Sequence, residues 1–259
     1  MKFILLPILI CFSVNFYGLP YDKSCLLIQF EISADSFIRA DIVSSANWYS
    51  TIMPAYTLGI STYIPQKEML LHEISLALYY FESNSFNFNT ETLDVGTIRL
   101  LLFKSPINYL CHLSLNPIFS LIVGGKIIPQ YESISNIVTY SNYMTHEDFS
   151  INLCPTFGFS IAAPKSFNFQ TEFSPGLALP VINKLTFPNA PADTFEAIHG
   201  SLQIGSFFAI HISQFRIKAS YNYTLNADIY FISEKYNSHL LNAKIQHYNS
   251  FGISIGYHL

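Results

Sequence analysis

Long segments of this sequence alternate between apolar residues and small polar ones. In the clearest of them, residues 149–162, every odd position is apolar or proline, and the even positions hold Ser, Asn, Cys, Thr, Gly and Ala. A period of two places these two sets on opposite faces of a β-strand. The same alternation recurs at residues 26–32, 55–61, 73–80, 109–123, 167–179, 202–210, 215–226 and 251–259.

The alternating segments predict strands that cross a membrane. Several span nine or more residues, whereas soluble strands are typically ~5–6 residues long. A soluble sandwich would carry many Lys and Glu on its polar face, but here that face is mostly Gly, Ser, Ala, Thr and Asn. An apolar exterior and a small, polar interior indicate an all-β, antiparallel transmembrane β-barrel, because an open sheet leaves backbone groups unsatisfied in lipid. The strand charges all fall on the inner face: Glu31, Glu73, Glu172, Arg216 and Lys218.

Composition agrees with a membrane partner for the chain. Half of the 259 residues are hydrophobic and 12% are charged, against the ~25% charged residues usual in soluble domains. The apolar content excludes intrinsic disorder. Thirteen Lys and Arg against 17 Asp and Glu, with no basic run, exclude a nucleic-acid partner.

The predicted connections alternate in length, as in bacterial barrels with short periplasmic turns and longer outer loops. This predicts a meander of ten strands with both termini in the periplasm. Eight strands are the alternative if the first and fourth segments do not cross; a bulge or early turn would explain the confused parity between Leu93 and Phe103. The connections are 34–50, 126–147 and 182–198 (long), 82–91 and 233–240 (medium), and 65–71, 104–108, 163–166 and 213–214 (short).

The N-terminus has the layout of a secretory signal peptide. A positively charged start precedes an apolar stretch at residues 3–14, and polar or small residues follow up to Gly18. A membrane anchor would need ~20 apolar residues. We therefore expect residues 1–18 to be a cleaved signal peptide, residues 19–259 to form the barrel domain, and the protein to lie in the outer membrane of a Gram-negative bacterium.

Cysteines and prolines fit structural roles in this pattern. Beyond the signal peptide, Cys25, Cys111 and Cys154 form an odd set without a C-x-x-C motif, which predicts neither a disulfide framework nor a metal cluster. Cys111 falls on the lipid-facing parity and Cys154 on the inner parity, so we expect them not to pair. Four prolines share the lipid-facing parity within predicted strands: Pro54, Pro117, Pro155 and Pro175.

The middle of the chain resembles a known family. Residues 93–104 (LDVGTIRLLLFK), followed by Tyr109-Leu110 and by residues 116–121 (NPIFSL), resemble a strand, turn and strand of the PorT-like outer membrane β-barrel proteins of Bacteroidota. Residues 54–65 and 253–257 are similar to the family's second and last strands. The resemblance implies an outer membrane β-barrel, and the name-giving members take part in protein secretion.

The final strand also resembles the signal that the outer membrane assembly machinery reads, with alternating apolar residues and Tyr257 near its end. We therefore expect two partners, the outer membrane lipid and the barrel assembly machinery. Loops 126–147 and 182–198 could bind a surface ligand, but solvation alone explains their composition equally well.

Charges on the inner face could line a pore or seal it. Side chains nearly fill the interior of a barrel of eight to ten strands, and buried charges persist mainly when they are paired. We therefore favour a sealed network over an open channel. The ion pair that we consider first joins Glu172 to Arg216 or Lys218.

An outer membrane enzyme is the rival class. His146, Glu147 and Asp148 lie at the end of a predicted long loop, and His199 and His211 lie on or near strands. No G-x-S-x-G or H-E-x-x-H motif accompanies them, so we assign no catalytic, cofactor-binding or metal-binding residue and expect no cofactor.

We predict a non-enzymatic outer membrane protein that is structural or porin-like for small solutes. A component of a secretion system or a surface-binding protein is the alternative, and a hydrolase or acyltransferase is less favoured.

Overall fold

A computed structural model describes residues 24–43, 45–66, 69–84, 87–88, 99–138, 143–163, 167–187, 190–194, 196–231 and 243–259. None of these residues belongs to a helix that could cross a membrane. They form the strands β1 Cys25–Val43, β2 Ser45–Gln66, β3 Leu70–Ser83, β4 Asn87–Phe88, β5 Arg99–Lys104, β6 Ile107–Ser114, β7 Phe119–Val138, β8 Tyr143–Ala163, β9 Phe167–Phe187, β10 Ala190–Thr194, β11 Glu196–Ile212, β12 Phe215–Phe231 and β13 Ala243–His258.

The strands close into an antiparallel barrel of ten. Each wall strand pairs with its neighbours along the chain, and β1 pairs with β13 to close the cylinder. The short β4 and β10 add to β2 and β9 outside this count. The predicted ten-stranded meander is therefore confirmed.

The fourth wall strand consists of β5 and β6 in one continuous register. Both lie between β3 and β7, and the pairs Tyr79↔Lys104 and Leu76↔Ile107 share one offset. Between them, the Ser105 amide donates to the Pro129 carbonyl at 2.9 Å. Pro106 has no amide hydrogen, which explains the interruption. The short connection predicted at 104–108 is therefore wrong.

A tight turn separates β6 from β7 where we predicted one strand over 109–125. The side-chain oxygen of Asn116 accepts hydrogen bonds from the amides of Ile118 at 2.9 Å and Phe119 at 2.8 Å. The hairpin keeps odd residues on the outer face of both strands, because Leu113 pairs with Leu121. The alternation therefore runs through the turn unbroken, and Pro117 lies in the turn rather than in a strand.

The three long connections that we predicted are largely strand. β1 and β2 remain paired as far as Val43↔Ser45, and the ends of β7, β8, β9 and β11 occupy most of 126–147 and 182–198. The outer residues here include Ser36, Ser50, Ser133 and Ser135. The sequence alternation disappears here because the outer side chains become polar like the inner ones. The strands still continue, because backbone hydrogen bonds between strands do not require apolar side chains. The stretch before Phe103 in which the apolar alternation changes parity falls mostly within residues 89–98, which are outside the described residues.

The two faces of the wall follow the predicted parity. Phe30, Leu58 and Phe157 on the outer face expose 47%, 51% and 51% of their surface, and together with the similar outer residues of every wall strand they form an apolar belt. Cys111 lies on this outer face and Cys154 is buried inside, both as predicted. All described cysteines are free.

Both edges of the apolar belt are marked on the outer face. Near the end where β2–β3, β6–β7, β8–β9 and β11–β12 are joined, which we call the turn end, aromatic rings contact one another: Phe119–Phe159, Phe159–Phe169, Phe167–Phe208 and Phe215–Tyr257. Aromatic girdles of this kind are typical of membrane interfaces. Toward the other end, a polar row begins with the ion pairs Glu82–Arg99 and Glu147–Lys184.

The strands are longer than a membrane requires. β2 has 22 residues and β8 and β9 have 21 each, whereas roughly 9–11 tilted residues cross a bilayer. The parts that reach beyond the apolar belt are residues 45–53 of β2, 143–147 of β8 and 184–187 of β9, and we call this region the extended end.

A charge in the belt should destabilise the barrel far more than a charge beyond it. We expect Leu58→Arg, in the middle of the belt, to lower the free energy of unfolding by about 2–4 kcal/mol, and Ser133→Arg, in the polar row, by about 0–1 kcal/mol. Reversible urea unfolding in lipid vesicles measures both. Equal losses would mean that the belt does not face lipid.

Candidate functional site

The inside of the barrel is built in three layers. Nearest the turn end, Leu27, Tyr63 and Leu71 pack together with 0%, 4% and 1% of their surface exposed, and we call them the lower layer. Leu110 and Ile122 are buried close by. Large apolar side chains therefore occupy the lumen at the turn end.

Charged pairs fill the next level, which we call the charged layer. The ammonium of Lys218 lies 2.7 Å from the carboxylate of Glu31, and the Ser220 hydroxyl donates to the same carboxylate at 2.7 Å. Glu31 and Lys218 belong to β1 and β12, which flank β13. A Cβ atom on Gly252 of β13 would come within 2.3 Å of the Glu31 carboxylate. Small residues on the middle strand therefore make room for a pair from the strands on either side.

A second pair also spans an intervening strand. Lys126 of β7 contacts Glu172 of β9 at 2.6 Å, across β8. Gly158 of β8 pairs with Glu172, and a Cβ atom there would lie 2.2 Å from the Thr171 carbonyl. The Gln170 side chain donates a further hydrogen bond to Glu172.

A hydrogen-bonded chain links the charged layer to the lower layer. A ring nitrogen of His112 lies 3.0 Å from the Glu73 carboxylate. The Tyr63 hydroxyl donates to the other oxygen of Glu73 at 3.3 Å and accepts a hydrogen bond from Arg216, also at 3.3 Å. Tyr63 therefore belongs to the apolar packing through its ring and to the polar network through its hydroxyl.

Phe207 faces the lumen against the alternation of its strand, and the cations explain why. The Arg216 guanidinium lies 4.9 Å from its ring centre and the Lys218 ammonium 5.8 Å. An aromatic face attracts a cation at these distances. The sequence signal was present in the broken parity, but its partners depend on the register between β11 and β12.

The sealed network has different partners from those that we predicted. Glu172 binds Lys126 rather than Arg216 or Lys218. Register decides this, because Glu172 and Asn222 are both opposite Gly205, while Lys218 is opposite Ala209, four residues nearer the turn end. Lys218 is therefore level with Ser254 and Glu31.

The upper layer lies beyond the charges and mixes apolar and charged groups. The Lys104 ammonium lies between two aromatic rings, 5.5 Å from the centre of Tyr79 and 4.4 Å from that of Tyr248. The Tyr79 hydroxyl donates to Asp35. Glu132 accepts hydrogen bonds from Tyr248 at 2.7 Å and from Gln246 at 2.6 Å. Apolar side chains fully buried around this cluster are Phe37, Phe81, Leu100 and Leu102.

The histidines and acids that suggested an enzyme do not all share one face of the wall. His146 and Asp148 lie in β8, not at the end of a loop as we predicted, and both are buried inside the barrel. Glu147 is on the outer face and contacts Lys184 at 3.5 Å. His211 lies beside His258 near the turn end, and the side chain of His199 is outside the described residues. Within the described ranges, no three His, Cys, Asp or Glu side chains come together as metal ligands.

A small polar cavity lies near Asp148 and Gln246. Its volume of about 10 Å³ is close to the minimum that holds one water molecule. The residues that line it come from six strands: Gln130, Asp148, Ser150, Asn152, Ala178, Gly200, Asn226 and Gln246. We call it the polar cavity.

Removing one member of a buried pair should cost far more stability than removing an exposed one. We expect Lys218→Met, which leaves the Glu31 carboxylate buried beside Gly252, to lower the free energy of unfolding by about 3–5 kcal/mol. Arg99→Met breaks the exposed pair with Glu82 and should cost about 0–1 kcal/mol.

Urea unfolding of both variants in vesicles makes this comparison, and Glu31→Gln combined with Lys218→Met should recover much of the loss. If Lys218→Met cost no more than Arg99→Met, the lumen around Glu31 would have to be hydrated.

Comparisons with known proteins show the fold. No protein-family model and no curated protein sequence matches the chain. Among solved structures, the outer membrane protease OmpT of Escherichia coli is similar at a TM-score of 0.58 and 8% identity, over 96% of this chain and 100% of that one.

Two further structures align over most of their length but at lower TM-scores. The translocator domain of the autotransporter NalP from Neisseria meningitidis has a TM-score of 0.46 and 8% identity, over 99% of this chain and 94% of that one. The attachment invasion locus protein Ail of Yersinia pestis has a TM-score of 0.37 and 8% identity, over 92% and 99%. The likeness to OmpT shows that this chain has the fold of an outer membrane β-barrel.

Proposed function

We propose that this protein is a non-enzymatic outer membrane barrel that is sealed along its axis and acts as a scaffold for its extended end. The observation that carries this is the charged layer. Glu31 with Lys218, and Lys126 with Glu172, form close ion pairs inside the lumen, at 2.7 and 2.6 Å. The sequence predicted a structural or a porin-like protein, and of these two we propose the structural one.

Energetics support a seal rather than a selectivity filter. An ion that crosses the charged layer would have to separate a buried pair, and breaking such a pair costs about 3–5 kcal/mol. It would then meet Leu27, Tyr63 and Leu71 in the lower layer, which present no polar group to it apart from the Tyr63 hydroxyl. Each layer alone opposes conduction, and the two are adjacent.

The same proposal gives the barrel an orientation. Short turns of bacterial barrels face the periplasm, so the turn end, where β1 begins and β13 ends, would face the periplasm and the extended end the exterior. Residues 1–18 would then direct export as a signal peptide, and the last strand would be read by the assembly machinery. Strand pairs that continue past the polar row give the exposed end a rigid base for binding.

Conductance tests the seal. In planar bilayers we expect the folded protein to produce no stepwise current, because the charged and lower layers both block the axis. Insertion is verified on the same preparation by migration on a gel that changes only after boiling. Reproducible conductance steps from the folded protein would contradict the proposal.

A further inference from the structure

The barrel wall has a gap in its hydrogen-bond ladder, within the described residues. β8 and β9 pair at Leu153↔Leu177 and again at Phe157↔Phe173, but residues 154–156 and 174–176 between them are not paired. The register is the same on both sides of the gap. The flanking pairs are therefore about 14 Å apart along the strands.

Two prolines opposite each other cause the gap. Pro155 and Pro175 share the central position, and neither has an amide hydrogen to donate across the wall. The arrangement leaves no amide donor unsatisfied in lipid, and only the carbonyls of the two prolines lose their ladder donors. A proline can keep its pairing on one side of its strand, because Pro54 of β2 remains paired with Ala34 of β1 where the β2–β3 ladder ends at Ala55↔Phe81.

An apolar groove lies on the outer face over β6, β7 and β8, and it reaches the gap at Pro155. Gly125 of β7 pairs with Pro155 and has no side chain, which leaves a depression of about 560 Å³ in the belt. Its outer lining is almost entirely apolar: Ile74, Ile107, Tyr109, Ile127, Leu153 and Pro155. The groove is continuous with the apolar belt, and we call it the outer groove.

Small side chains lie on the inner side of the gap. The sulfur of Cys154 is 3.8 Å from the Ser201 hydroxyl, and the two meet over Gly176, where a Cβ atom would lie 2.4 Å from that sulfur. The Thr156 hydroxyl contacts the Ser174 hydroxyl at 2.9 Å. The polar cavity begins immediately beyond, toward the extended end, at Asn152, Ala178 and Gly200.

We propose that this part of the wall is a lateral binding site for a membrane amphiphile with a single alkyl chain. The chain would lie in the outer groove, and the polar head would pass between Pro155 and Pro175 toward the polar cavity. The occupant comes from the lipid because the outer groove is open to the belt. Its head is polar and no larger than about one water molecule, because amide and carboxylate groups, including Gln130 and Asp148, line a cavity of about 10 Å³.

Cys154 reports on this path directly, because its sulfur is on the inner side of the gap. In a variant with Cys11, Cys25 and Cys111 replaced by serine, Cys154 is the remaining thiol. The folded barrel is placed in phosphatidylcholine vesicles and exposed to an N-alkyl maleimide dissolved in the membrane. A parallel sample receives a charged, membrane-impermeant maleimide from the water, and mass spectrometry measures thiol addition over time.

We expect the lipid-borne maleimide to modify Cys154 faster than the aqueous one. Pro155→Ala with Pro175→Ala restores both amide donors, and the lipid-borne rate should fall more than about tenfold because two ladder hydrogen bonds then oppose opening. The control Pro54→Ala changes a proline on the same face of β2, a strand that does not border the gap, and should leave the rate unchanged.

Migration on unheated gels confirms that each variant is folded. The proposal is overturned if the lipid-borne maleimide leaves Cys154 unmodified, or if the double alanine variant reacts as fast as the parent. Faster modification by the aqueous maleimide would also overturn it, because access would then run along the axis. That last outcome would argue against the axial seal as well, whereas the first two would leave the seal intact.

Discussion

Every feature of this barrel depends on the need of each backbone amide and carbonyl to find a partner where no water is present. A sheet in lipid meets this need by closing on itself. β1 and β13 accordingly remain paired from Leu27↔His258 to Ile42↔Ala243, as long a seam as those between strands adjacent in the chain. Where the ladder does fail, at Pro155 and Pro175, the residues themselves lack the donor.

Closure creates an inside and an outside, and side chains then sort by parity. The outside is apolar over the belt and polar beyond it, whereas the inside has to accommodate side chains from ten strands at once. Gly252 shows how it does so, because its missing side chain lets Glu31 and Lys218 from the flanking strands meet over it. The small glycine and serine side chains of the inner face thus leave the space in which the buried pairs form.

Parity predicted the class and the face of nearly every residue in the belt, and the alternating connection lengths added the prediction of ten strands, with eight left as the alternative. It did not locate the turn at Asn116, because the hairpin there keeps both strands in phase. It missed the extended end, because outer residues such as Ser133 are polar while the backbone stays paired. Parity also could not predict the partner of Glu172, because the choice between Lys126 and Lys218 depends on the register between strands distant in sequence.

Nitroxide scanning of residues 55–63 in β2 tests the central claim, a lipid-facing wall around a packed interior, most directly. Spin labels at the even positions should be accessible to oxygen dissolved in the lipid. Labels at the odd positions should be immobile and inaccessible both to oxygen and to a water-soluble nickel chelate. Odd positions open to the nickel chelate would mean a hydrated lumen, and the loss of the two-residue period would mean that this segment is not a wall strand.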